Sequence, residues 1–152
     1  MRGSLLDSNL WVAATFPSHE FHAASLAVLQ AATPSKPVLF CRATEQSFLR
    51  LVTSPQIIAR YGADGMTNRH ALAVLETLQA RPEVEFRAEA PGLTSLWHQL
   101  ANRNSASAKV WMDAYLAAFA ISGELEFVTL DRDFHAYTPH GLRLRLLAPE
   151  RA

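Results

Sequence analysis

Cys41 is the only cysteine of the chain. That excludes an internal disulfide framework and any zinc knuckle built on paired thiolates, and it fits a reducing compartment. Cys41 is therefore expected to be a small buried hydrophobe. An excess of one charge is missing too, since 14 Lys and Arg balance 14 Asp and Glu. No global field draws the chain to nucleic acid or anionic lipid, so a polyanionic partner must be held by a local arrangement. No stretch approaches the ~20 apolar residues of a membrane span, and the opening residues carry no long signal-peptide core. A protein of the cytoplasm, with no membrane partner, is expected. Repeats, low-complexity tracts and domain-separating linkers are also lacking, so residues 1–152 read as one domain.

What is present is an alternation of short apolar runs and helical periodicities. Strands are expected at 4–7, 37–40, 84–86, 125–130 and 142–147. Helices are expected at 9–16, 19–32, 42–53, 68–80, 93–102 and 111–122, with the Pro/Gly-containing stretch "SPQIIARYGADGMTN" as a loop. Strands separated by helices imply an α/β/α sandwich with a largely parallel central sheet flanked by helices. Ligand sites in such sheets lie beyond the carboxyl ends of the strands.

Acids occur at those ends. Asp7 closes the run "SLL" and precedes a helix; it reads either as an N-cap or as a ligand delivered by the strand. Asp131 follows "LEFVTL" in the same way, which places two carboxylates at one sheet edge. Glu45 shares a helical face with Phe48, Leu49 and Val52, either as an ion pair with Arg42 at the edge of that face or as part of a shared carboxylate site. Asp113 repeats the pattern with Leu116, Ala117 and Ala120, and its expected first-turn position also suits a favourable charge on the helix dipole. Acids converging from four elements repel one another and raise each other's pKa values. A divalent cation resolves that conflict, and an all-oxygen donor set without Cys or paired His selects Mg²⁺ or Mn²⁺.

The segments "LLDSNLWVA", "ATEQSFLRLVTSP", "WMDAYLAAFA" and "FVTLDRDF" together resemble a PIN-domain ribonuclease, and more narrowly the VapC-type toxins of bacterial toxin–antitoxin pairs. The resemblance implies a PIN-like fold and a Mg²⁺- or Mn²⁺-dependent endoribonuclease acting on a structured RNA such as a transfer or ribosomal RNA. It assigns Asp7, Glu45, Asp113 and Asp131 to the metal and catalytic site, with Asn9 and Thr129 in support. Asp133 competes with Asp131 for the last place, which goes to Asp131 at the strand end. A homodimer and an inhibitory VapB-type antitoxin are implied as partners, and operator DNA contacts would fall to the antitoxin.

Histidine is not expected in the chemistry: apart from the His19/His22 pair at an expected helix start, the six are scattered without ligand spacing and read as surface or packing residues. Arg42, Arg132 and Lys109 lie near the acids and read either as phosphate contacts or as solvated charge. Trp97 and Trp111 are expected in the core, while Trp11 fits a rim or dimer contact. Two rivals remain: a PIN fold that binds without cleaving, and a phosphoacceptor receiver domain. The receiver would want adjacent acids after the first strand, a mid-sheet Asp and a late Lys.

Overall fold

The computed structural model describes residues 3–149. Its sheet has five strands, β1 (Ser4–Leu6), β2 (Val38–Phe40), β3 (Val84–Phe86), β4 (Glu126–Thr129) and β5 (Arg143–Leu146), in the order β3-β2-β1-β4-β5. Every pairing is parallel. The receiver order would be 2-1-3-4-5, so that rival is excluded by topology.

Alternation along the strands sorts the core. Leu5, Leu39 and Phe127 join one buried cluster with α6 (Leu93–Ala101) and α7 (Ala108–Ser122). Leu6, Val38, Phe40 and Val128 point into the other, with α1 (Ser8–Thr15), α2 (His22–Ala31), α3 (Arg42–Val52) and α5 (Asn68–Gln79). A sheet covered on both faces needs continuous apolar runs, and "VLF" of β2 is buried at all three positions. The α/β/α sandwich expected from the sequence is the observed fold. Gly3, at φ 112°, lets β1 begin there, because a Cβ would stand 2.6 Å from the Pro37 carbonyl oxygen.

Three segments depart from the sequence reading. The expected loop contains helix α4 (Pro55–Tyr61), which Ser54 caps by accepting from the Ile57 N–H, with Pro55 in its first turn and Gly62 closing it at φ 66°. Helix α2 begins at His22 rather than 19, because residues 19–21 form a turn in which the Phe21 N–H donates to His19 Nδ1 at 3.0 Å. Helix α7 begins at Ala108 rather than 111, so Asp113 lies outside its first turn and the dipole role expected for it falls away. After β4 the chain forms a 3₁₀ segment, Arg132–His140.

Two tryptophans exchange their expected places. Trp11 has no exposed surface and stacks on Phe40 with ring centroids 3.9 Å apart, so it forms neither a rim nor a dimer contact. Trp111 is 58% exposed, because the packed stripe of α7 runs through Val110, Ala114, Ala117 and Ala118 and leaves position 111 beside it. Trp97 is partly buried against the core, as expected, and its Nε1–H donates to the Trp111 carbonyl at 2.8 Å. Cys41 is fully buried, also as expected. Among the described residues no helix is long and apolar enough to cross a membrane.

Candidate active site

The register of β1 and β4 sets Leu6 opposite Val128, so Asp7, the first residue beyond β1, comes level with Thr129, the last residue of β4. Asp7 is buried. It caps α1 by accepting from the Ser8 N–H at 2.8 Å through Oδ1, while Oδ2 accepts from the Thr129 hydroxyl at 2.7 Å. Thr129, fully buried, also accepts from the Asp131 N–H at 3.0 Å, so one hydroxyl ties both strand ends together. The cap and ligand readings of Asp7 are thus compatible. Loss of water pushes the Asp7 carboxyl up to about 6, against the lowering from Thr129 and Ser8, and the charges of Asp113 and Asp131 push the same way as burial.

Lys109 holds the next three acids. Its Nζ donates to Oδ2 of Asp113, one turn along α7, and to Oδ2 of Asp131 and Asp133, each at 2.8 Å. Burial pulls this ammonium down, but the three bonds outweigh it and hold its pKa well above the usual lysine value. Asp113, its side chain 15% exposed, is raised by burial against the pull of Lys109. Asp131 is more open, and its bonds from Lys109 and from the Asp133 N–H overcome burial and lower it. Asp133 is the outermost, with 69% of its side chain exposed.

Glu45 behaves differently. In the first turn of α3 its carboxylate pairs with Arg42 and accepts from Gln79 Nε2 at 2.7 Å, which links α3 to the end of α5. Asp7 thus responds to Asp113 and Asp131, whereas the direct bonds of Glu45 go to Arg42 and Gln79. The ion pair weighed for Glu45 from the sequence is present. Asn9 Oδ1 is buried and has no hydrogen-bond partner among the described residues. Of the basic residues singled out, Lys109 is held by acids, and Arg42 is held by Glu45 and lies over the Phe86 ring at 4.6 Å.

Sequence reasoning missed Arg103 and Tyr137. They line a cavity of about 280 Å³ with Ser107, Lys109, Asp113 and Asp133, and Arg103 donates to the Tyr137 hydroxyl at 3.5 Å. These residues are brought together by the α6–α7 connection and the 3₁₀ segment, and no spacing in the sequence marks that meeting.

Among the described residues no three His, Cys, Asp or Glu side chains stand as a ready coordination sphere. The donor set nevertheless suits a hard divalent cation: three carboxylate oxygens from α7 and the β4 exit already meet around one positive charge, beside buried Asp7.

The PIN-domain family model matches residues 4–138, and the chain belongs to that family. Its similarity narrows to the VapC ribonucleases. The chain is 43% identical to Ribonuclease VapC41 of Mycobacterium tuberculosis over 145 residues, covering 95% of this chain and 98% of the relative. Solved structures share the fold. The sarcin-ricin-loop-cleaving toxin VapC20 of M. tuberculosis matches at a TM-score of 0.62 and 16% identity, over 92% of this chain and 96% of that one. A chain of the VapBC2 complex of Rickettsia felis, bound to a DNA fragment from its promoter, matches at 0.61 and 13% identity, over 94% and 97%.

Proposed function

We propose that this protein is the toxin of a toxin–antitoxin pair, an endoribonuclease that hydrolyses phosphodiester bonds of a structured RNA and acts in the cytoplasm as one domain. The observation that carries the reading is the meeting of Asp113, Asp131 and Asp133 on one cation beside Asp7, at the carboxyl ends of β1 and β4. Forty-three per cent identity to a named ribonuclease along nearly the whole chain supports it.

Asp7, Glu45, Asp113 and Asp131 would hold Mg²⁺ or Mn²⁺, with Glu45 released from Arg42 and Gln79. A bound ion of this kind lowers the pKa of water and offsets charge building on phosphate oxygens. Thr129 fixes the relative placement of Asp7 and Asp131 through its shared hydroxyl, and Asn9 adds a buried oxygen without a partner. Arg103, in the neighbouring cavity, supplies a guanidinium for a phosphate of the substrate.

A VapB-type antitoxin is the partner this site would accept, with an arginine of its own seated among the aspartates. The toxin is proposed to pair as a homodimer and to leave operator DNA to the antitoxin. One observation favours a second reading, a PIN fold that binds RNA or protein without cutting: three of the acids are already paired with one cation of the chain itself, Lys109. Cleavage of total cellular RNA with Mg²⁺ or Mn²⁺, mapped at the cut ends, separates the two. Discrete cuts that disappear with a chelator and in Asp113→Asn are expected; a folded, antitoxin-free sample that leaves RNA intact would overturn the ribonuclease reading.

A further inference from the structure

Lys109 makes three ion pairs of equal length, one to Asp113 on its own helix and two to Asp131 and Asp133, which lie 22 and 24 residues further along the chain. An ordinary surface lysine is paired loosely, if at all. Here the ammonium sits at the meeting point of the oxygens, where its charge offsets the repulsion among Asp113, Asp131 and Asp133. It reaches that point along α7, because a spacing of four residues stacks Lys109 over Asp113 on one helix face. The side chain is nonetheless 53% exposed, on a flexible four-carbon stem, so an outward path is open to it. The cavity lined by Arg103, Ser107 and Tyr137 also includes Lys109 and gives the displaced ammonium room beside the site.

We propose that Lys109 is an internal counter-cation that competes with the divalent ion for the aspartates. It keeps them assembled before metal binds and must swing out for metal to enter. The inference rests on the metal-site reading above and deepens it. Apparent affinity for metal is then reduced by the fraction of molecules in which Lys109 has left its three partners. Where that open state is a minor one, about a tenth of the population or less, removal of the side chain tightens metal binding about tenfold or more. A lysine that merely supported the fold would act in the opposite sense, since its loss would loosen the site.

The test uses the fact that Lys36 and Lys109 are the only lysines of the chain, and that Lys36 is exposed. The folded protein is treated with an amine-acetylating reagent with and without Mn²⁺, and acetylation of each lysine is read by mass spectrometry. Lys36 serves as the internal standard. In parallel, Mn²⁺ binding to the wild type and to Lys109→Met is measured by calorimetry. The expected result is slow acetylation of Lys109 without metal, acceleration relative to Lys36 when Mn²⁺ is added, and tighter Mn²⁺ binding by Lys109→Met. If the wild type binds Mn²⁺ and Lys109 acetylation does not change relative to Lys36, the displacement is overturned and the metal site stands. If neither protein binds Mn²⁺, the metal-site reading fails and the competition falls with it.

Discussion

Asp7 and Asp131 leave neighbouring strands of one sheet and share the Thr129 hydroxyl, yet their carboxyls are driven in opposite directions. Asp7 is 8% exposed and has no cation bonded to it among the described residues, so burial and the charges of Asp113 and Asp131 push it up to about 6. Asp131, more open to water and bonded to Lys109, is lowered. The register sets Asp7 level with Thr129 and leaves Asp131 two residues further out, and the rest of the difference comes from what reaches each carboxyl afterwards. A site made this way keeps one carboxyl poised to hold a proton and another held ionised.

The largest expected effect erases the contrast altogether. Asp7→Asn and Asp131→Asn should each lower RNA cleavage by about a hundredfold or more, since each removes a proposed metal-site carboxylate. Gel-resolved cleavage rates at saturating Mn²⁺ measure this, and near-normal rates in either variant would remove that residue from the site.

Stability without metal separates the same two variants. The raised pKa of Asp7 means that the folded state holds its proton more tightly than the unfolded chain does. Its contribution is full below about 3.8 and is lost as pH rises to about 6. Asp7→Asn should therefore stabilise the metal-free protein at pH 8 by up to about 3 kcal/mol, with the gain vanishing near pH 4. Asp131 has the opposite sign: its lowered pKa stabilises the fold above the unfolded value, so Asp131→Asn should destabilise at pH 8. Urea denaturation at the two pH values checks both, and the same sign for the two variants would break the comparison.

Thr129→Val should cost about 1–3 kcal/mol, because it strips a donor from buried Asp7 and an acceptor from the Asp131 N–H at once. Chemical denaturation measures it, alongside a further rise in the Asp7 titration followed by carboxyl NMR. The smallest effect belongs to Glu45→Gln. It should leave the Asp7 midpoint where it is and cost about 0.5 kcal/mol through the partly exposed pair with Arg42. A displaced midpoint would bring Glu45 into the aspartate cluster and sharpen the boundary of the site.

Much of this was legible in the sequence for a simple reason. Central parallel strands must be short and apolar, so "SLL", "VLF" and "EFVT" stand out, and acids that follow such runs are at once suspect. Strand polarity puts Asp7 and Asp131 at one sheet edge, whereas their adjacency and the Thr129 bridge between them come from the pairing of β1 with β4. Helix α4 was obscured because Ser54, Pro55 and Gly62 signal a loop as readily as a cap, a first turn and a terminus. The early start of α7 was hidden by the Ser/Ala-rich residues before Lys109, and that displaced start moved Asp113 out of the first turn. The meeting of Lys109 with Asp131 and Asp133 depends on how the 3₁₀ segment folds back, which no local periodicity encodes.

The hydrogen bond from Thr129 to Asp7 spans 122 residues of chain. During synthesis Asp7 emerges long before Thr129 exists, and β4 can pair with β1 only after the residues between them have been made. Contacts this far apart in sequence form after the local ones, once the cost of closing so long a loop has been met. For a protein proposed to cut RNA, that order of events is a safeguard. The nascent chain carries Asp7 past the ribosome that is making it while the rest of the site is still unmade, and competence arrives only with the finished fold.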